Sequence, residues 1–277
     1  MEETMKILVT GAKGMLGQDL CPILEDEGYE VIETDVDSLD ITKEEDVNNA
    51  LLQMQPNVVI HCAAYTNVDK AEEEPDLARL INVKGTENLA NVCKKMDIPL
   101  VLISTDYVFD GNIDRNYTPD DVPNPINKYG LTKLEAEQAV QSICEKYYIV
   151  RTSWLYGHHG KNFVETMISL KDKDVLNVVD DQIGCPTWSV DLSNGLVDLL
   201  DEEPEYGIYH ICGGGQTSWY GFAKEIFSQL GFNVNLKPCL TEDFPRAAKR
   251  PKKSVIDNGV CRDWKEALKE YLELRGE

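Results

Sequence analysis

Paired cysteines, long apolar runs and positive charge are all scarce in this chain. Its eight cysteines, at 21, 62, 93, 144, 185, 212, 239 and 261, are scattered with no Cys-x-x-Cys spacing, and several lie inside apolar stretches. They read as reduced thiols in a cytoplasmic protein. No stretch approaches the ~20 apolar residues of a membrane span, and the acidic start Met1-Glu2-Glu3 lacks the regions of a signal peptide. A soluble, unexported protein is expected. Lysine and arginine total 27 against 49 aspartates and glutamates, a formal net charge of −22. Such a charge repels nucleic acid and anionic membrane surfaces, so neither is an expected partner. The carboxylates are spread along the chain and read as a solubilising surface. Histidines are few, at 61, 158, 159 and 210, with no ligand spacing beyond one adjacent pair, so no metal site is expected.

What is present is a βαβ rhythm. An apolar run at residues 6–9 leads into a glycine-rich turn, and residues 15–27 carry Leu16, Leu20, Ile23 and Leu24 at helical spacing. Strands follow at 30–35, 57–62, 100–104 and 147–151, alternating with helices at 43–54, about 77–96 and from Tyr129 to about 144. The alternation predicts an α/β fold, a Rossmann-type doubly wound parallel sheet, over residues 1–153. Residues 109–127, rich in glycine, asparagine and proline, read as a surface loop. Beyond Trp154 the pattern loosens into helices at 161–170, 190–200 and 220–230 and strands near 175–179 and 207–212. Residues 154–277 therefore read as a smaller carboxyl-terminal α/β substrate lobe, with one or two elements returning to the first domain.

Thr10-Gly11-Ala12-Lys13-Gly14-Met15-Leu16-Gly17 has the form of a dinucleotide seat. Gly11, Gly14 and Gly17 allow a tight turn, close approach of backbone amides to a pyrophosphate, and close packing of helix on sheet. The helix beginning at Met15 and Leu16 then faces the anion. Asp35 closes the second strand 18 residues past Gly17, where a carboxylate would accept the adenosine ribose hydroxyls and repel a 2′-phosphate, favouring NADH over NADPH. Lys13 would still meet a 2′-phosphate, so the choice between NADH and NADPH stays open. Asp40 and Ile41 would flank the adenine, and Ala63, Ala64 and Tyr65, at the end of the third strand, would lie along the dinucleotide.

Tyr129 and Lys133 are four residues apart, so on a helix they share a face. An ammonium there would lower the phenol from its usual value near ~10, letting Tyr129 give and regain a proton. Lys133 would also grip the nicotinamide ribose. Thr105, on the preceding strand, would hydrogen-bond a substrate carbonyl opposite Tyr129. Asn82 is a candidate holder of a proton-relay water, or equally a packing amide. In so acidic a chain the best cation cluster for a diphosphate is Arg246, Lys249, Arg250, Lys252 and Lys253, with Arg250 the strongest candidate beside Pro251.

At the glycine turn, Thr105 and Tyr129-x-x-x-Lys133 the chain resembles the extended short-chain dehydrogenase/reductases. Residues 63–72 (AAYTNVDKAE), 104–111 (STDYVFDG), 151–157 (RTSWLYG) and 181–187 (DQIGCPT) narrow the resemblance to the dTDP-4-dehydrorhamnose reductase branch. The resemblance implies reduction of the 4-keto group of dTDP-4-dehydro-L-rhamnose to dTDP-L-rhamnose by NAD(P)H, with Thr105, Tyr129 and Lys133 as the catalytic triad. It also implies that Thr66, Val68, Tyr107 and Trp154 face the dTDP-sugar. A homodimer stays open. Two alternatives stay open too: a dinucleotide-binding regulatory subunit like the beta subunit of methionine adenosyltransferase, and another nucleotide-sugar reductase or epimerase.

Overall fold

A computed structural model describes residues 4–257 and 261–275. The first elements are β1 (Lys6–Thr10), α1 (Met15–Asp26), β2 (Glu30–Thr34), α2 (Glu44–Met54) and β3 (Val58–His61). After them come α3 (Lys70–Glu73), α4 (Pro75–Arg79), α5 (Gly85–Met96), β4 (Leu100–Thr105), α6 (Lys128–Ile143) and β5 (Tyr147–Thr152). The rest of the chain forms β6 (Leu155–Tyr156), α7 (Phe163–Ser169), β7 (Leu176–Val179), β8 (Ile183–Gly184), β9 (Thr187–Trp188), α8 (Ser189–Glu202) and β10 (Gly207–His210). It closes with β11 (Thr217–Ser218), α9 (Trp219–Gln229), β12 (Leu236–Cys239) and α10 (Trp264–Leu274).

Six strands make one parallel sheet in the order β10-β5-β4-β3-β1-β2. The central strands are apolar on both faces because helices cover both: Ile7, Leu8, Val9, Val59 and Ile60 have no exposed surface. Helices α1 and α8 pack on one face, α2, α5 and α6 on the other. The strand order reverses between β1 and β3, so the loops leaving these two strands open one crevice, the usual ligand position in such sheets.

Several elements depart from the sequence expectations. The helix expected over 77–96 begins at Pro75, a residue suited to a first helical turn, and is interrupted by a π-helical turn at Leu80–Lys84 before α5. The expected surface loop 109–127 is partly core: Phe109 and Tyr117 are buried and stacked with centroids 4.1 Å apart, and the Tyr117 hydroxyl donates to Asp110. α10 and β12, and the paired strands β6–β9 and β8–β11, have no counterpart in the sequence expectations. β10 joins the main sheet beside β5, and α8 packs on α1, while Tyr156, Trp188, Phe222, Trp264 and Tyr271 gather in a separate aromatic core.

Candidate active site

Residues 246–256 run back across the molecule like a strap. Ser254 donates to the Asp106 carboxylate, Asn127 Nδ2 donates to the Lys249 carbonyl at 2.9 Å, and Ile183 and Tyr117 bridge to Lys253 and Ile256. Between the glycine loop, the carboxyl ends of the strands and Trp154 lies a cavity of about 980 Å³, large enough for a dinucleotide and a second ligand.

One wall is the glycine loop. Gly11 has φ +69°, and a Cβ on it would lie 2.7 Å from the Ala63 backbone nitrogen; a Cβ on Gly17 would lie 2.4 Å from the Gly11 carbonyl oxygen. β1, β3 and α1 therefore meet at a distance only glycine allows, which leaves the start of α1 open to a pyrophosphate. Gly11, Lys13, Gly14, Met15, Leu16, Gly17, Asp35, Asp40, Ile41, Ala63 and Ala64 all line the cavity. The two Asp35 oxygens accept the Lys13 amide at 3.0 Å and the Val36 amide at 2.8 Å, which fixes the carboxylate at the end of β2. The Lys13 ammonium pairs with the exposed Asp37.

The other wall gathers Thr66, Thr105, Asp106, Tyr129, Lys133 and Trp154. α6 starts at an Asn127 cap whose side chain accepts the Gly130 amide, and Gly130 presses against the Tyr107 carbonyl. That contact brings Tyr129 against the end of β4. Burial pushes its phenol up to about 12, a hydrogen bond with Thr105 pulls it down in part, and Asp106 pushes it up. Burial draws the Lys133 ammonium down to about 8, against the pull of Glu137 and Cys62, and its Nζ donates to the Ile103 carbonyl at 2.7 Å. The expectation of a lowered phenol is thus reversed: desolvation sets the direction of the shift and keeps the phenol neutral. One turn on, Glu137 makes a buried bidentate pair with Arg151 and accepts from Ser104, so consecutive β4 residues anchor consecutive turns of α6.

Tyr65, Val68, Asn82, Tyr107 and Arg250 lie off the cavity wall. The Tyr65 hydroxyl donates to Glu74 at the surface. The buried Asn82 amide bonds the Tyr65 backbone and the Thr132 hydroxyl. Tyr107 packs edge-on against Tyr129 at 6.0 Å and sends its amide to Thr105. Arg250 is committed to a bidentate pair with Asp69, both contacts at 3.0 Å, and does not face the cavity as a free cation. Asp69 lies in the loop that carries Thr66 and Val68, so Arg250 ties the strap to that loop. Among residues with no role assigned from sequence, Asp106 and Lys161 also line the cavity. Asp106 stands inside the 104–111 motif, so its position was available to sequence reasoning; Lys161 follows an unremarkable loop and carries no such signal.

Trp154 is a non-glycine residue with φ +45° at the cavity wall. Such a backbone costs about 1–3 kcal/mol and persists where its surroundings leave no alternative.

The family model described as the RmlD substrate binding domain matches residues 5–275. A dTDP-4-dehydrorhamnose reductase from Aggregatibacter actinomycetemcomitans is 40% identical, over 95% of this chain and 97% of its own. A crystal structure of a dTDP-4-dehydrorhamnose reductase from Clostridium acetobutylicum superposes with TM-score 0.96 at 49% identity, covering 99% of this chain and 100% of its own. A second, from Bacillus anthracis in complex with NADP, superposes with TM-score 0.95 at 41% identity over 98% and 99%. The chain therefore belongs to the dTDP-4-dehydrorhamnose reductase branch of the extended short-chain dehydrogenase/reductases and is an NAD(P)H-dependent oxidoreductase of that type.

Proposed function

We propose that this enzyme reduces the 4-keto group of dTDP-4-dehydro-L-rhamnose to give dTDP-L-rhamnose, with Tyr129 as the proton donor. One observation carries the reading: Thr105, Tyr129 and Lys133 line the same cavity as the glycine loop, in a chain whose relatives over nearly its whole length are named for this reduction. On this reading residues 1–153 hold the dinucleotide and residues 154–277 mainly hold the sugar nucleotide.

The loop amides from Gly11 to Gly17 and the start of α1 would hold the pyrophosphate of the cofactor, and Asp35 its adenosine ribose. Asp40 and Ile41 would flank the adenine. The nicotinamide, when bound, supplies hydride to the carbonyl carbon. As the C=O π bond is lost, the oxygen takes the Tyr129 proton, so the product gains one C–H and one O–H bond. A phenol raised by burial is protonated at neutral pH and still more acidic than the alcohol formed, so the transfer runs downhill. The Thr105 hydroxyl accepts the Tyr107 amide at 3.1 Å, which leaves its single proton for Asp106, 3.1 Å away, for the Tyr129 oxygen or for the substrate oxygen. Lys133, titrating near 8, is suited to return a proton to the phenolate.

The test is the reduced-nicotinamide absorbance of protein mixed with NADH or NADPH and enzymatically generated dTDP-4-dehydro-L-rhamnose. Sugar-dependent oxidation yielding dTDP-L-rhamnose is expected, and its absence with both cofactors would overturn the reading. Tyr129→Phe should lower turnover at least ~10²-fold with cofactor still bound; unchanged turnover removes Tyr129 as the acid. We further propose that Asp35 makes NADH the preferred cofactor, while the NADP complex of the Bacillus anthracis relative is in keeping with use of NADPH as well. Asp35→Ala should then raise the NADPH:NADH activity ratio severalfold, and a constant ratio would take Asp35 out of the ribose site.

A further inference from the structure

The proton transfer leaves the motif at residues 181–187 without a part to play, and the strain at Trp154 without a cause. The geometry joins the two. The Trp154 indole lies parallel to Trp219, with centroids 3.5 Å apart and planes within 3°. Trp219 is held in turn: its Nε1 donates to Gln182 Oε1 at 3.1 Å, and Phe163 packs on it at 4.6 Å. Gln182 is itself fixed, its Nε2 donating to the Thr241 hydroxyl at 2.9 Å. The antiparallel pairing of β8 with β11 sets Thr217 opposite Gly184 and Ser218 opposite Ile183, which delivers Trp219, the next residue, beside the motif. Gly184 supplies the clearance: a Cβ on it would lie 2.3 Å from Cε2 of Trp154 and 2.5 Å from its Nε1. Three elements thus converge on one side chain, the over-determination that a left-handed backbone at a bulky residue requires.

We propose that Gln182, Gly184 and Trp219 are positioning residues that lock the Trp154 ring as a rigid wall against the sugar nucleotide. The inference rests on the reading of Trp154 as a substrate-facing residue. A free indole would sample several rotamers and lose that freedom on binding; one already stacked and cleared presents a flat apolar surface at no further entropic cost. These residues should therefore govern sugar affinity and leave the nicotinamide side untouched.

Two stacked indoles give an exciton couplet in far-ultraviolet circular dichroism, which reports the pair independently of activity. The wild type should show it, and Gly184→Ala should lose or invert it, since the methyl would displace Trp154. Trp219→Ala and Gly184→Ala should each raise KM for the sugar nucleotide about tenfold, with NADPH affinity unchanged. Trp219→Phe loses the couplet but keeps a stacking ring, so its KM should return toward wild type. An unaltered couplet in Gly184→Ala, or wild-type KM in Trp219→Ala, overturns the proposal. If the wild type does not reduce the sugar at all, the substrate reading fails by itself. The couplet of Gly184→Ala, together with quenching of Trp154 fluorescence by dTDP in wild type and Trp219→Ala, then decides the positioning role, which equal dTDP affinity in the two would refute.

Discussion

The glycine-loop wall and the strap-backed wall face each other across one cavity, yet the first is held by backbone and the second by side chains. In the glycine-loop wall β1 lies between β2 and β3 in a continuous parallel ladder, and α1, β1 and β3 approach so closely that Gly11 and Gly17 have no room for a Cβ. In the opposite wall β4 is also paired with β5 over six residues, but the further contacts are made by side chains, the Arg250–Asp69 pair, the Ser254–Asp106 hydrogen bond and the Trp154–Trp219 stack, and the β8–β11 and β6–β9 pairs are two residues long. A wall made of backbone fails abruptly when one atom is added. A wall made of side chains degrades by degrees, and so lends itself to tuning for different ligands.

The largest effect should come from adding that atom. Gly17→Ala places a methyl 2.4 Å from the Gly11 oxygen and 2.5 Å from the Ala12 Cα, both backbone atoms that cannot rotate away. The start of α1 must move off the loop. Overpacking of this kind costs about 1–3 kcal/mol of stability, but the loss of NAD(P)H binding should be near complete by fluorescence titration. Wild-type affinity in Gly17→Ala would show that the loop tolerates side-chain bulk and would erase the contrast between the walls.

Arg250 gives a smaller effect whose sign is the informative part. Against the burial that would raise it, Arg250, the Ala248 amide and Arg246 hold the Asp69 carboxyl below its ordinary range. If Arg250 served the diphosphate directly, Asp69→Asn would release it and tighten sugar binding. Because it acts as a tie between strap and loop, both Asp69→Asn and Arg250→Ala should weaken binding, each raising sugar KM about tenfold, the worth of one charged hydrogen bond. NADPH affinity should stay at the wild-type value. Tighter sugar binding in Asp69→Asn would restore Arg250 as a direct ligand.

The same division decides what is legible in the sequence. Residues 6–9 and 57–62 announce themselves as buried strands by composition, and Gly11, Gly14 and Gly17 by spacing, because that wall is encoded by local runs. The Tyr129–Lys133 pair is legible through helical periodicity, but the direction of the phenol's shift is not, since it depends on how deeply α6 seats against β4. The Ser254–Asp106 and Arg250–Asp69 contacts join residues 148 and 181 positions apart and leave no local pattern. Expecting Arg250 at the diphosphate came from counting cations without sight of Asp69. α10 is a different case: Trp264, Ala267, Leu268 and Tyr271 are buried at helical spacing behind an Asp263 cap, a signal present in the sequence.

Asp106 lies on the seam between the two walls, and its titration should give the smallest and most specific effect. Its oxygens accept Thr105 from β4 at 3.1 Å and Ser254 from the strap. Burial pushes its carboxyl up to about 7, although Ser254 and Thr105 pull it down. It faces Tyr107 and Tyr129, raised mainly by burial, and Cys212, raised mainly by its hydrogen bond with Cys185, and its charge adds a smaller upward push to each. An unfolded aspartate titrates near ~3.9, so between about pH 4 and 7 the folded chain holds a proton that the unfolded chain has lost. The native state is then favoured at the acid end of that window, and the advantage fades as pH rises through 7. Asp106→Asn keeps the shape and cannot ionise, so the melting temperature of wild type minus variant should fall steadily from pH 4.5 to 7.5, other groups cancelling in the difference. Parallel curves would mean that Asp106 is ionised throughout and that Thr105 always gives its proton to the carboxylate. A falling difference would instead mean that below pH 7 a neutral Asp106 leaves the Thr105 proton free for Tyr129 or a substrate oxygen, linking the strap to the chemistry through one hydrogen bond.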